Sequence, residues 1–374
     1  MASTSELPAW HKALVLDIYP PKVDKQPTPK PGPGSAIVRI LAANVLSYAK
    51  EVFSGQRPYP LQKPLTIGSS AVGRIAAIGP DTTSLKPGQL VLVDSFIQAR
   101  DEPSASILSG LHEGMTEASR TLMRGEWRNS TYAEYAKCPL EQLHPFNEQR
   151  FLGSPADGGL GYTLEDLSYI STLAVPFGGL SDIRLKAGQT IIVAPATGNF
   201  GGAAVRMAVA MGARVIAMGR NKNALQRIAA GNERTEVVQM TGDMQTDLEE
   251  LQKFGKIDAF FDISPPQASR STHLKSCILA LRPGGYVSLM GGQQEDVAIP
   301  IGAIMHRSIK LHGMFMYTRD DIKTLIGMAE IGVLKLTGGS GGRVSGKFKL
   351  EEWEKAFDSA AEGQASGERA VITP

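Results

Sequence analysis

Residues Val193 to Lys222, VAPATGNFGGAAVRMAVAMGARVIAMGRNK, constrain the fold more than any other part of the chain. An apolar run stops at a turn made of Ala196, Thr197, Gly198, Asn199, Phe200, Gly201 and Gly202. A helical pattern follows, with Ala203, Val205, Ala208, Val209 and Met211 on its inward face, and a second apolar run ends at Gly219. Strand, glycine turn, helix and strand in that order open a βαβ unit, which calls for a parallel sheet. The chemistry of such a turn is specific: small residues let the backbone approach a pyrophosphate, whose charge meets the free N–H groups at the helix N-terminus. Ala196 stands where the G-x-G-x-x-G pattern has its first glycine, so the strand and helix on either side carry the assignment, not the bare pattern. A turn that serves only close helix packing is the competing reading.

The end of the second strand indicates which dinucleotide fits. A carboxylate there, about 20 residues past the glycines, holds the ribose hydroxyls of NAD. This chain has Gly219 and Arg220 instead. A carboxylate would repel a 2′-phosphate, whereas a guanidinium forks onto it, and Asn221 and Lys222 add to the same pocket, so NADP(H) is expected. Ligands of open α/β sheets lie outside the carboxyl ends of the strands. Ser264, Met290 and Gly291, at later strand ends, are therefore expected beside the nicotinamide, and Tyr317 is grouped with them.

From about Leu164 the chain alternates apolar strands with longer amphipathic segments, the texture of βαβ units. Thr190 to Ala194, Arg214 to Ala217, Ala259 to Asp262 and Gly285 to Met290 are the candidate strands. Residues 13 to 150 instead carry short β-like runs (Ala13 to Leu16, Ala36 to Ile40, Val72 to Ile78, Leu90 to Val93) between Pro and Gly clusters, interrupted by a polar, partly helical segment from Asp101 to Trp127. After about Tyr317 come a helix, a Gly-rich turn at Gly338 to Gly342, and a last helix near Glu351 to Ala361. At 374 residues, two domains are expected. The fold class is α/β, a Rossmann doubly wound parallel sheet beside a β-rich domain.

A net charge of +2, with acids and bases mixed, gives no field for nucleic acid or an anionic membrane, so a small-molecule substrate is the expected partner. Pro195, several glycines, Arg206 and Arg214 interrupt the apolar stretch from Ile191 to Met218, which excludes a membrane span there. The opening MASTSELPAWHK has no signal-peptide pattern, and a cytoplasmic location is expected. Cys138 and Cys277 are too few for a disulfide framework or a structural metal. The six histidines cluster with no Cys, Asp or Glu at ligand spacing, and no G-x-S-x-G elbow is present.

Several further segments, taken with the turn, resemble the medium-chain dehydrogenases/reductases: AANVLSYAKEVFSG at Ala42 to Gly55, IGSSAVGRIAAIGP at Ile67 to Pro80, LKPGQLVLV at Leu85 to Val93, and SGERAVI at Ser366 to Ile372. The resemblance implies a GroES-like domain from residues 1–163, a Rossmann NADP-binding domain from 164–318, and a segment 319–374 that completes the first. It also implies a homodimer. Zinc members of this family hold catalytic metal through a Cys, a His and a second Cys; the matching positions here are Leu46, Ser69 and a Cys-free stretch around Leu173. Leucine has no ligand atom and a serine hydroxyl replaces imidazole or thiolate poorly, so no metal is expected. Without a Lewis acid, conjugated acceptors that spread negative charge onto oxygen fit best.

Tyr48 occupies the family's proton-relay position and is the expected proton donor or oxyanion partner. Asn44 and Ser47 flank it as candidates for orienting substrate oxygen, while Glu51 is expected on a solvated helix face. The expected activity is zinc-independent, NADPH-dependent hydride transfer to an activated C=C bond or a quinone. A trans-acting enoyl reductase, a zinc-free ketone or imine reductase, and a non-redox NADP-binding or cyclising protein are the alternatives.

Overall fold

The computed structural model describes residues 7–230, 232–338, 342–363 and 368–374. Residue contacts divide the chain into two units: one runs to residue 171 and resumes at 343, and the other holds 172 to 342.

The second unit is built on a parallel sheet of six strands. Thr190–Ala194 lies at its centre, with Arg214–Gly219 and Thr235–Gln239 on one side and Ala259–Asp262, Tyr286–Leu289 and Lys310–Gly313 on the other. In chain order the strands read 3-2-1-4-5-6 across the sheet, the doubly wound Rossmann order, whose switch point lies between the first and fourth strands. The central strands are apolar on both faces because helices cover both, and Ile191, Ile192, Val193, Phe260 and Phe261 are fully buried. The two edge strands escape a hydropathy reading: Thr235–Gln239 is half solvated, and Lys310–Gly313 has four residues, none of them buried.

The first unit is β-rich. Its long strand Ser35–Val45 pairs with Ala71–Ile78, with Tyr135–Pro139 and with the C-terminal strand Arg369–Ile372. Trp10–Leu16 forms a smaller sheet with Lys22–Pro27 and Leu65–Thr66. Phe53, Tyr132, Trp353 and Phe357 fill the core between these strands and the closing helix Trp353–Glu362. The Asp101 to Trp127 segment contains a strand, Ser106–Leu108, that pairs with Phe96–Gln98, and a helix, Glu117–Arg124, sealed by Ile97, Ile107 and Met123.

The changeovers between units fall at 172 and 343, not at 164 and 319. Arg369, almost wholly buried, donates to the Glu165 carbonyl at 2.6 Å and binds residues near 165 to the first unit. Arg206 donates to the carbonyls of Lys335 and Gly338 at 2.9 and 2.8 Å, which keeps the chain beyond helix Arg319–Glu330 on the second. Val209 and Met211 are only half-buried; Ala204 and Met207 take the inward positions beside Ala203, Val205 and Ala208. Residues 339–341 of the expected Gly-rich turn, and Ser366 and Gly367 of the SGERAVI match, lie outside the described residues. Among the described residues no helix is long and apolar enough to cross a membrane.

Candidate active site

The glycine turn follows strand Thr190–Ala194, and the helix Asn199–Ala210 starts at Gly198 with no side chain capping it. Its first N–H groups are thus offered outward, as an anion site requires. The two glycines differ in use. A Cβ on Gly201 would lie 2.1 Å from the Pro195 carbonyl oxygen and 3.0 Å from Ala196, so this position lets the helix sit tight on the turn. A Cβ on Gly198 would meet nothing within 4 Å, so this position leaves open space where a ligand's phosphates need it. Ala196 is buried and donates its N–H to the Met218 carbonyl at 2.8 Å. The Thr197 methyl sits over Gly219, which joins the turn to the end of the second strand. Asn199 is buried and Phe200 half-buried at the first positions of the helix.

Arg220 and Lys222 are exposed beyond Gly219, and among the described residues no acidic side chain pairs with either. Asn221 has a structural duty, since its side chain accepts from the Ala224 N–H at 3.0 Å and caps helix Lys222–Ala229. The uncapped helix start and the open face at Gly198 fit the pyrophosphate of a nicotinamide dinucleotide.

The Ser264 side chain is buried and committed within its own unit. Ser264 Oγ donates to Asp262 Oδ1 at 2.6 Å and lies 2.9 Å from His273 Nε2, which is also 2.9 Å from Asp262 Oδ1. This network locks the end of strand Ala259–Asp262 to helix His273–Ala280. Sequence reasoning missed it because His273 stands eleven residues from Asp262. Met290 donates its N–H to the Asp262 carbonyl at 2.9 Å, Gly291 packs against Asp262 and Ser264, and buried Tyr317 closes over Gly178.

In the first unit Tyr48 precedes the short helix Ala49–Ser54 and is half-buried. Burial raises its hydroxyl pKa, the neighbouring Tyr59 adds to the rise, and the Arg57 cation opposes it. The phenol is therefore protonated throughout the physiological range, as a proton donor must be. The guanidinium carbon of Arg57 stands 4.2 Å over the Tyr48 ring and 5.6 Å from that of Tyr59. Tyr59 meets the His112 ring edge-on at 4.9 Å. Linear order carries no sign of this cluster, since residues 48, 57, 59 and 112 are brought together only by folding.

Asn44 is less free than expected. It lies within strand Ser35–Val45, opposite Val371, and its carbonyl accepts from the Ser69 hydroxyl and, at 3.0 Å, from Tyr132. Ser47 is buried beside Tyr48, and Glu51 is exposed. Of the positions where relatives carry zinc ligands, Ser69 has already donated its hydroxyl to Asn44, and Leu46 is half-buried hydrocarbon. These residues do not fit a catalytic zinc, and no group of three or more metal-ligating side chains occurs among the described residues.

A parallel sheet of this order, with a glycine turn after its central strand, defines a doubly wound α/β fold of the Rossmann type. Residues 32–148 match the alcohol dehydrogenase GroES-like domain profile and residues 200–330 the zinc-binding dehydrogenase profile, and the chain belongs to the medium-chain dehydrogenase/reductase superfamily. It is an oxidoreductase, and a nicotinamide cofactor is expected of this family. It is 24% identical to an alcohol dehydrogenase of Geobacillus stearothermophilus over 95% of this chain and 98% of that one. It is 25% identical to an acryloyl-coenzyme A reductase of Metallosphaera sedula over 92% and 94%. A crotonyl-CoA carboxylase/reductase, AntE, solved in complex with NADP, shares the fold with a TM-score of 0.75 at 16% identity, over 98% of this chain and 95% of that one.

Proposed function

We propose that the chain is a zinc-independent, NADPH-dependent reductase of an activated C=C bond, in an enone, an enoyl thioester or a quinone. The observation that carries this reading is the composition of the family's metal positions: Leu46 offers no ligand, and the Ser69 hydroxyl is committed to Asn44. Polarisation of a simple carbonyl by a Lewis acid has no residues to support it, which favours substrates that delocalise the incoming charge themselves. Bound NADPH supplies the hydride. As the acceptor's β-carbon gains it, the C=C electron pair moves toward the carbonyl oxygen, and Tyr48 hydrogen-bonds that oxygen or gives the proton that completes the reduced product.

Arg220 and Lys222, unpaired beside a strand end that lacks a carboxylate, support the preference for the 2′-phosphorylated dinucleotide. The acryloyl-coenzyme A reductase relative supports C=C reduction. The Lys310–Gly313 sheet edge, flanked by exposed Ile301, Met305 and Phe315, supports a homodimer through this unit, to be checked by light scattering. The deciding experiment follows NADPH absorbance with a panel of quinones, enones, enoyl thioesters and simple ketones, beside metal analysis of the purified protein. Turnover of the conjugated acceptors by metal-free protein is expected. Tight NADPH binding without oxidation by any acceptor overturns the reading in favour of a non-redox role, and stoichiometric zinc overturns it in favour of a zinc dehydrogenase.

A further inference from the structure

Arg57 is a cation held in place with no acidic partner among the described residues. Its backbone is fixed on both sides, where its N–H donates to the Glu51 carbonyl at 2.9 Å and its carbonyl accepts from the Tyr59 N–H at 2.7 Å. Its guanidinium lies against the Tyr48 ring, and the side chain is only half-exposed. A guanidinium stacked on a ring keeps its N–H edge in the plane of the fork, so the stack orients the donors without consuming them. Among the described residues no carboxylate lies within ion-pair distance of it and no side-chain hydrogen bond engages it. Glu51, the acid nearest in sequence, is exposed, and Glu113, next to His112, gives its buried carboxylate to Gln62 and Arg120 at 2.6 and 3.1 Å.

A second donor stands in the same cluster. His112 Nδ1 accepts from the Gly114 N–H at 2.9 Å, so the neutral ring carries its proton on Nε2. Burial lowers the pKa of this imidazole, and Glu113 only partly restores it. His112 belongs to the Asp101 to Trp127 segment, which gives that segment a part in the site.

We propose that the acceptor reduced beside Tyr48 carries an anionic group, a carboxylate or a phosphate, and that Arg57 forks onto it while Tyr59 and His112 form the wall behind. The inference rests on the reductase reading and deepens it by naming the substrate class. Arg57 is a specificity residue: it fixes the anion, and the anion fixes the double bond relative to the phenol.

The test compares monoethyl fumarate, which presents one carboxylate, with diethyl fumarate, which presents none. The diester is the more electrophilic alkene, so preference for the monoester has to come from the protein. The wild-type chain is expected to favour the monoester at least tenfold in kcat/KM, and Arg57→Gln to bring that ratio to about one, chiefly through KM. Equal ratios in wild type and Arg57→Gln overturn the proposal and leave the reductase reading standing. A parallel calorimetric titration with succinate and with inorganic phosphate needs no turnover. The wild type is expected to bind one of them in the millimolar range, the tighter one naming the anion, with binding at least tenfold weaker in Arg57→Gln. If no acceptor is reduced, the reductase reading falls, and these titrations still decide the anion site. Failure of both anions to bind overturns it, as does loss of NADPH affinity in Arg57→Gln by the same factor as the loss for the monoester, which would assign Arg57 to the cofactor.

Discussion

At the turn from Pro195 to Gly201 the exposed polar groups are backbone N–H donors of an uncapped helix, whereas around Tyr48 they are side chains contributed by residues 48, 57, 59 and 112. The first arrangement follows from one contiguous stretch of sequence, because a strand, a bend of small residues and a helix suffice to aim the donors. The second depends on how a helix, a proline-rich loop and an inserted segment pack together. A backbone site tolerates changes in side-chain chemistry but not in volume. A side-chain cluster behaves in the opposite way, and substitutions at the two places are expected to separate accordingly.

The largest expected effect lies in the side-chain cluster. Tyr48→Phe keeps the ring under Arg57 and removes only the hydroxyl, so kcat is expected to fall by about 10²- to 10⁴-fold, the usual worth of a positioned proton donor. NADPH affinity, measured by fluorescence titration, is expected to be unchanged. Equal kcat in the variant and the wild type would remove Tyr48 from the chemistry. Because burial holds its hydroxyl pKa above the ordinary value of about 10, the wild-type rate is expected to show no loss from tyrosine ionisation below that pH.

Next in size is Arg220→Gln. A charge-assisted hydrogen bond is worth about 1.5–3 kcal/mol, so NADPH is expected to bind roughly ten- to a hundredfold more weakly while NADH binding stays constant. NADH bound more tightly than NADPH by the wild type would overturn the phosphate assignment. The two glycines sharpen the contrast further. Gly201→Ala drives a Cβ against the Pro195 carbonyl, and overpacking of this kind costs about 1–3 kcal/mol, visible as a lower Tm. Gly198→Ala meets no protein atom within 4 Å, so Tm is expected to hold while NADPH binding weakens by about tenfold. A Tm loss at Gly198 equal to that at Gly201 would mean that the open space is packing space.

What the sequence made legible follows the same division. Thr190–Ala194 and Ala259–Asp262 were readable to the residue because buried parallel strands are continuous apolar runs with sharp ends. Thr235–Gln239 and Lys310–Gly313 were not, since an edge strand is half solvated and its pairing is stated by its neighbour. The strand, bend, helix and strand around the glycines were legible because their parts are adjacent in the chain. The commitment of Ser264 to Asp262 and His273, and the stack of Arg57 on Tyr48, are contacts between separate segments, and linear order carries no trace of them. The boundary near residue 319 was misplaced for a similar reason, since the helix Arg319–Glu330 looks like any closing helix until Arg206 is seen holding the chain that follows it.

The smallest expected effect tests whether the parallel sheet owes part of its stability to a single ionised group at the amino ends of its strands, opposite the ligand side. Burial alone would raise the pKa of the Asp258 carboxyl, but Arg282, donating from Nε at 2.6 Å, and the Thr190 N–H at 3.0 Å outweigh it, and the net shift is downward. A carboxylate with a depressed folded pKa contributes stability that is fully present above its unfolded value of about 3.8 and is lost as pH falls through the lower folded value. Asp258→Asn keeps the shape and one acceptor but loses the charge facing Arg282. The variant is expected to be about 1–2 kcal/mol less stable at neutral pH, or about 2–8 °C lower in Tm for a unit of this size. The gap between variant and wild type is expected to close as the pH is lowered below about 3.8, because the wild-type group then also loses its charge. Scanning calorimetry at neutral and acid pH reads both numbers. A gap that stays constant with pH would show that the charge on Asp258 contributes nothing and that the difference lies in how the amide packs and hydrogen-bonds in its place.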